Sequence, residues 1–324
     1  MLANASSPHT GGSRRLAVAR ATGPGAVPSP EASPGGMAML VLAALAATYV
    51  LALWIQAAVY LPKEVVLLLF LGAAASCREL RPFLRDWAGP LLLLFAMDAL
   101  RELAYHVTRA LDRPVVVLWP VRIETAIFGV LPTQVLQGWL HPTPEPRWYD
   151  LGMAALHGSH FVTFLAVGLA VWVWRRDRFH RYMRTVLFTA YGGLAGYFLV
   201  PMAPPWLAAD LGQLPLTPRL LLSVPYLQVP RFLLIGLDTN PVAAMPSLHA
   251  AFSLIVAVGL GWVSRWGRRL GYLYLLALAF ALVYGGEHYT IDLLAGYGLA
   301  GFALWLAERT GGRATDPHVA PRQR

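Results

Sequence analysis

The sequence predicts an all-α integral membrane protein with about eight transmembrane spans. Of its 324 residues, 57% are hydrophobic and only 13% are charged, whereas a soluble domain carries about 25% charged residues. The long apolar runs lack the period-2 alternation of strands and therefore favour helices, which satisfy their own backbone hydrogen bonds in lipid. Short arginine-rich segments separate these runs, and this pattern sets the orientation of membrane helices.

Eight apolar segments approach the length of about 20 residues that a bilayer-crossing helix needs. The second segment is short and could instead be a re-entrant or tilted segment. The predicted spans are 38–60, 62–77, 87–107, 153–174, 184–201, 246–263, 270–286 and 289–307. We therefore predict one transmembrane domain over residues 37–308.

The two ends of the chain differ in composition from this apolar domain. Residues 1–36 are rich in Ser, Pro, Gly and Ala, and we expect them and residues 309–324 to be disordered tails. Residues 1–36 have no compact apolar core before a cleavage site, so they are not interpreted as a signal peptide. Met37 is an alternative start. The single cysteine, Cys77, excludes an intramolecular disulfide framework.

The arginine clusters assign the two faces of the membrane. With eight spans, all four clusters fall on the side of the N-terminal tail, which the positive-inside rule makes cytoplasmic. These clusters lie within residues 78–85, 175–184, 265–269 and 309–313. Both termini are therefore predicted to be cytoplasmic, and the loops 108–152 and 202–245 to face outward with the turn at Gly285–Gly286. The formal charge of +9 thus needs no nucleic-acid partner.

Both outer loops combine prolines with apolar residues. We expect residues 114–147 to contain an amphipathic segment that lies at the membrane interface. We expect residues 202–235 to form a cap over the outer face.

A first short motif, PSLHAA, occupies residues 246–251 at the outer start of the sixth span. Proline suits the first turn of a helix, and the amides and dipole of that turn attract anions. Ser247 adds a hydroxyl donor, and His249 adds an acid that can protonate a departing oxygen. The alternative is a helix cap with an incidental interfacial histidine.

A second short motif, EHYTID, occupies residues 287–292 at the outer start of the eighth span. His288 and Asp292 are four residues apart and therefore share one helical face. An aspartate can hold one ring nitrogen of a histidine, and a histidine fixed in this way can attack phosphorus to form a phosphohistidine. The alternative is a structural pair at a helix end, although ionisable residues inside a membrane are functional candidates by default.

The two motifs support each other. The arginine pattern, which does not involve either histidine, places His249 and His288 on the same outer side. Two histidines that flank one phosphate provide a nucleophile on one side of phosphorus and a general acid on the other.

The segments PSLHAA and GEHYTIDLLAG resemble the second and third signature motifs of the type 2 phosphatidic acid phosphatase (PAP2) superfamily. Leucine before the histidine, together with the upstream segment Pro204-Pro205-Trp206, is closer to the inositol phosphorylceramide synthase (Aur1-like) branch. The resemblance covers roughly residues 95–305 and is sharp over 240–296. It implies a six-helix core bundle, here preceded by two extra spans.

The resemblance also implies roles for the motif residues. His288 is the nucleophile, Asp292 orients it, His249 protonates the leaving group and Ser247 helps to bind the phosphate. The superfamily is metal-independent, and the sequence has no carboxylate cluster that demands a metal. We therefore expect no metal and no cofactor.

The sequence departs from the superfamily at the residues that clamp the phosphate. The first motif, KxxxxxxRP, is absent, and Lys63 is the only lysine in the chain. The third motif usually begins Ser-Arg, but Ala281 and Leu282 occupy these positions. The phosphate ligands must therefore come from elsewhere.

Arg101, which lies with Asp98 and Glu102 in the outer half of the third span, is one candidate because arginine binds phosphate bidentately. The alternative is that these three residues only neutralise one another. Arg231, in the outer loop, is a second candidate. Both Arg231 and Arg219 are otherwise interpreted as interfacial side chains that extend towards the headgroups.

Two further histidines, His157 and His160, lie near the outer start of the fourth span. We interpret them as interfacial histidines with satisfied hydrogen bonds, although His160 could contact a head group.

The function that the resemblance implies is transfer of a phosphoryl or phospho-head group from a lipid phosphate ester. Water as acceptor makes the protein a phosphatase, and a polyol such as inositol makes it a phosphotransferase, which the Aur1-like features favour. A transporter is an alternative, with Asp98, Arg101, Glu102 and Asp292 as an intramembrane relay. It predicts broken helices in two repeated halves, and the sequence shows no such repeat. A catalytically inactive lipid-binding relative would not need to retain both histidines and the aspartate.

Overall fold

Helices make up most of the chain that the structure, a computed structural model, describes. The described residues are 71–72, 79–143, 145, 147–215, 217–220 and 240–311. They contain no strand, only isolated bridges from Met202 to Val116 and to Ala243. The predicted all-α class is therefore confirmed. Residues 1–36, Cys77, Arg231 and the first predicted span lie outside the described residues, as do all but two residues of the second span.

Each of the last six predicted spans corresponds to one long helix, and three short helices lie between them. The helices are α1 (Leu80–Ala110), α2 (Leu118–Phe128), α3 (Pro132–Leu140), α4 (Trp148–Trp174), α5 (Arg176–Leu199), α6 (Pro205–Asp210), α7 (Leu248–Val263), α8 (Arg265–Tyr284) and α9 (Thr290–Thr310). Helices α1 and α5 begin well before the predicted spans because they continue through the arginine-rich segments that precede the apolar runs.

The number of membrane spans is only partly supported by the described helices. Helices α8 and α9 are each long and apolar enough to cross a membrane. Helix α4 qualifies if its halves, Trp148–His160 and Val162–Trp174, count as one span despite a 54° bend. Helix α7 is apolar but has only 16 residues. The count of eight spans therefore stays a prediction.

The helix ends sort into two groups, as the sequence predicted. Arg175 donates to the carbonyl of Trp262 at the end of α7 (2.7 Å), and Arg181 pairs with Glu308 at the end of α9 (3.1 Å). These contacts gather the arginine clusters of α5 and the ends of α7 and α9 at one end of the bundle, which we call the arginine end. His249 lies at the start of α7, at the opposite end, which we call the histidine end.

Helix α7 lies at the centre of the bundle and packs against α4, α5, α8 and α9. Its neighbours approach closely through glycines, which is typical of helix pairs in membranes. A Cβ atom at Gly296 of α9 would overlap the backbone carbonyl of Ser247, and one at Gly193 of α5 would overlap the Leu248 side chain. These two glycines let α5 and α9 lie against the start of α7, where the first motif begins.

The loop between α1 and α4 forms two short helices, α2 and α3, whose surfaces are apolar. Its exposed apolar side chains are Leu118, Trp119, Ile123, Ile127, Phe128, Val130 and Trp139. The prediction of an amphipathic segment is thereby supported, while its position at a membrane interface stays a prediction. Of the predicted cap over residues 202–235, the structure describes 202–215 and 217–220, including α6.

Candidate active site

The first motif forms the beginning of α7, as its proline and serine predicted. Ser247 is the N-cap residue, and its Oγ accepts a hydrogen bond from the Ala250 amide at 3.3 Å. Its own amide donates to the Asp292 carbonyl at 3.0 Å. Ser247, a predicted phosphate ligand, is also fully buried. Its amide hydrogen bond joins the first motif directly to the second.

The three predicted catalytic residues come together at the histidine end. Nδ1 of His249 lies 3.3 Å from Nε2 of His288. Nδ1 of His288 lies 3.5 Å from Oδ2 of Asp292, which is long for a hydrogen bond, although catalytic hydrogen bonds often shorten when substrate binds. The same Oδ2 accepts the Tyr289 amide at 2.9 Å, so the carboxylate is fixed to the backbone at the start of α9.

This geometry determines which nitrogen of His288 can attack. Asp292 faces Nδ1, so Nε2 points towards His249 and is the nitrogen available for the predicted nucleophilic role. A phosphorus atom in position for attack lies about 3–3.5 Å from its nucleophile. The 3.3 Å between Nδ1 of His249 and Nε2 of His288 is too short for a phosphorus atom and its leaving oxygen to lie between these two nitrogens.

His157 and His160 pack against His249, a contact that the sequence did not predict, while the interfacial position predicted for them stays a prediction. The ring of His157 stacks on that of His249 with centroids 4.7 Å apart, and the His160 ring lies at 4.2 Å. Both side chains are buried. They come from the last turns of α4 before its 54° bend, so the bend places two imidazoles behind the predicted general acid.

Arg101, a predicted phosphate ligand, lies near this histidine cluster. Its guanidinium interacts electrostatically with both His160 and His249. It lies 3.4 Å from Asp98, yet its Nε is buried without a hydrogen-bond partner among the described residues. Glu102 instead faces His106 at 3.7 Å on an exposed surface. Of the three charged residues that the sequence groups in the third span, Glu102 therefore points away, and only Arg101 and Asp98 lie beside the histidine cluster.

Arg219 forms an ion pair with Glu287, the residue before His288, which the sequence did not suggest; the interfacial position suggested for Arg219 stays a prediction. Its Nε and Nη2 donate to the two carboxylate oxygens of Glu287 at 2.8 and 2.9 Å. Its guanidinium also lies over the Trp206 ring, 4.2 Å from the centroid. Burial raises the pKa of Glu287, but Arg219 outweighs this effect and the net pKa lies below its usual value. Glu287 is therefore ionised at neutral pH.

Sequence reasoning missed Glu124 of α2, which contacts the helix that carries Asp292. Its fully buried carboxylate accepts a hydrogen bond from the Thr290 amide at the start of α9. The start of a helix stabilises a carboxylate, but burial has the larger effect and raises the pKa of this carboxyl group above its usual value. Glu124 thus fixes the outer helix α2 to the start of α9.

The structure accounts for the apolar residues at the start of the third motif. Ala281 and Leu282 are completely buried in α8. The Leu282 carbonyl accepts the amides of Glu287 and His288, so this position shapes the turn through its backbone. Arg231, the remaining predicted phosphate ligand, lies outside the described residues. Among the residues that are described, no three His, Cys, Asp or Glu side chains are grouped so that they could hold a metal ion.

The chain is similar to known proteins over the part that contains both motifs. The sequence model of the PAP2 superfamily matches residues 104–306. The chain is also similar to a protein of Bacteroides thetaiotaomicron named phosphoinositol dihydroceramide synthase, with 28% identity over 274 residues, which cover 73% of this chain and 87% of that protein. No solved structure matches the chain.

Proposed function

The chain belongs to the PAP2 superfamily, and from this premise we propose that it is a membrane phosphotransferase or phosphatase that acts on lipid phosphate esters through a phosphohistidine on His288. The observation that carries the proposal is the line of side chains from Asp292 through His288 to His249.

In the first step, Nε2 of His288 attacks phosphorus and the bond between phosphorus and the leaving alcohol oxygen breaks. Protonated His249 gives its proton to that oxygen, so the alcohol leaves neutral and His249 becomes a neutral base. Asp292 stabilises the positive charge that develops on the His288 ring. His157 and His160, packed on His249, hold its ring in position for this transfer.

In the second step, neutral His249 removes a proton from the acceptor hydroxyl. The acceptor oxygen then bonds to phosphorus, the phosphorus–nitrogen bond breaks, and His288 is regenerated. Water as acceptor completes a phosphatase reaction, and an alcohol completes a transfer.

We assign phosphate binding to Arg101, Arg231 and Ser247. Arg101 is supported by its Nε, which is buried without a hydrogen-bond partner among the described residues. Ser247 is supported by its position at the N-terminus of α7, where the helix dipole attracts anions. Its hydroxyl oxygen already accepts from Ala250, and the hydroxyl hydrogen can donate to a phosphate oxygen.

The name of the Bacteroides relative favours transfer over hydrolysis. We propose that the transferred unit is a phospho-head group of the inositol type, with a polyol such as inositol as a possible partner in the reaction. A relay through the membrane is less well supported, because the acids pair locally: Asp98 with Arg101, Glu102 with His106, and Asp292 with His288.

Turnover of radiolabelled lipid phosphates by the purified protein, followed by thin-layer chromatography, tests this proposal. We expect product in the presence of EDTA, a new labelled product when inositol is added, and inhibition by vanadate at the phosphate site. Activity that returns to chelated protein only with Mg²⁺ or Zn²⁺ would rule out the proposed metal-independent mechanism, and a lack of turnover with all lipid phosphates would rule out the function.

We further propose a multi-pass protein of the cell membrane, with both termini cytoplasmic and the active site at the outer face. The positive-inside rule supports this orientation independently of the chemistry. In a variant in which Cys77 is replaced by Ser, a membrane-impermeant thiol reagent should label a cysteine introduced at exposed Gln213 in intact cells. It should not label one introduced at Arg178 until the cells are permeabilised.

Gln213 is preferred to Gly286 for this reporter because Gly286 has a φ of 76°, which other residues rarely adopt. The opposite labelling pattern would place the histidine end in the cytoplasm, and the proposed outer-leaflet substrate would then be wrong.

A further inference from the structure

Beside His288, the structure contains a buried ion pair that the proposed mechanism does not use. Glu287 precedes the nucleophile in sequence and is only 7% exposed, and its partner Arg219 is 20% exposed. Glu287 also interacts electrostatically with His288 and His157. The pair therefore lies beside the residue that would carry the phosphorus atom.

The pair is not needed to hold the two loops together, because uncharged hydrogen bonds already do so. The Leu220 amide donates to the Gly285 carbonyl and the Trp206 amide to the Gly286 carbonyl, each at 3.2 Å. The Gln137 side chain donates to two further carbonyls of these loops, those of Pro218 at 3.0 Å and Tyr284 at 2.8 Å.

A buried ion pair adds little to stability in such a place, because removing two charges from water offsets most of their attraction. Its chemistry does suit a ligand with several hydroxyl groups. Each carboxylate oxygen of Glu287 can accept a further hydrogen bond beyond the one from Arg219, and bonds to charged groups are strong and directional. The Arg219 guanidinium covers one face of the Trp206 ring, and the half-buried indole is an aromatic surface that suits the C–H groups of a polyol ring.

We propose that Glu287, Arg219 and Trp206 form a head-group subsite that recognises a polyhydroxylated substituent on the phosphorus atom attached to His288. This inference rests on the proposed function and deepens it: it names the residues that would select a phosphodiester with a polyol head group, such as phosphatidylinositol, over a phosphomonoester such as phosphatidic acid.

The experiment compares kcat/KM for phosphatidylinositol and phosphatidic acid in the wild type and in Glu287→Gln. The variant keeps the shape of the side chain but loses its charge. We expect the ratio of diester to monoester kcat/KM to fall about 10- to 100-fold, which is the loss of one charged hydrogen bond to the head group. Arg219→Lys, which keeps the charge but loses the bidentate fork, should lower the same ratio.

Gln137→Leu is the matched control. It removes the hydrogen bonds to Pro218 and Tyr284 and loosens the same two loops, but it leaves the ion pair intact. Its two rates should change together and the ratio should stay at the wild-type value. If Glu287→Gln and Arg219→Lys also leave the ratio unchanged, the ion pair only supports the loops and the subsite is disproved.

Binding without turnover separates this inference from the proposed function. Glycerophosphoinositol, a soluble head-group analogue, should bind the wild type at least tenfold more tightly than Glu287→Gln. Inorganic phosphate, which lacks the polyol, should bind the variant no more weakly than the wild type, because the variant has lost a negative charge. This difference would support the subsite even in a protein that turns over no lipid. Equal binding of glycerophosphoinositol to both proteins would overturn the subsite and leave the phosphohistidine mechanism standing.

Discussion

Replacing His288 by alanine should abolish turnover and eliminate any phosphoenzyme. The substitution removes the His288 ring, in which Nδ1 faces Asp292 and Nε2 is directed at His249. Removing a covalent nucleophile from a coupled catalytic group costs on the order of 10⁴- to 10⁶-fold in kcat. Water cannot replace the ring efficiently, because it would lack both the position and the activation that the ring receives.

Rapid quenching of wild-type protein with ³²P-labelled substrate should trap a phosphoenzyme that is labile in acid and stable in base, and His288→Ala should show none. His106→Ala is a suitable control, because His106 is exposed and lies beside Glu102 and Tyr105, away from the histidine cluster; it should retain the wild-type amount of phosphoenzyme. Trapping of label in His288→Ala at the wild-type level would identify a different nucleophile.

Replacing His249 by alanine should produce the second largest loss, and this loss should depend on the leaving group. A general acid contributes about 10²- to 10⁴-fold when the departing oxygen needs a proton. An alkyl ester, such as the diacylglycerol ester of a phospholipid, should therefore lose about that factor. A nitrophenyl ester leaves as a stable anion and should lose much less.

The ratio of the two losses is the informative quantity, because a collapse of the site would slow both esters. Far-ultraviolet circular dichroism and the melting temperature of His249→Ala would show whether the bundle remains intact. Equal losses with both esters would mean that His249 serves only as part of the packed histidine cluster and does not transfer the proton.

The sequence predicted the centre of the candidate site because its signals are local. The spacing of four between His288 and Asp292 places both side chains on one face, and the proline and serine before His249 mark the start of a helix. The arginine pattern added that the two motifs lie at one end of the bundle. Long apolar runs predicted eight spans, and the last six of these correspond to long helices in the described part of the chain, although charged extensions of the helices shift their boundaries.

Residues that surround this centre could not be predicted, because their partners are distant in sequence. Glu124 meets Thr290 across 166 positions, and Arg219 meets Glu287 across 68. Nothing in the local pattern distinguishes such a side chain from one that faces the headgroups. The packing of His157 and His160 on His249 could not be predicted for a related reason. Gly158-Ser159, just before the bend of α4, is a pair at which helices kink, but it does not give the direction in which the histidines then face.

The close approach of α9 to α7 has a consequence for engineering a more stable protein. Replacing helical glycines by alanine stabilises a fold when the new methyl group has room, since it reduces the freedom of the unfolded chain. Gly298 and Gly301 of α9 have no atom within 4 Å of such a methyl group and are open to this change. Gly296, two residues from Gly298, faces the Ser247 carbonyl, so alanine there would push apart the two motifs that carry the histidines. A thermostabilised variant should therefore carry alanine at positions 298 and 301 of α9 and keep glycine at position 296.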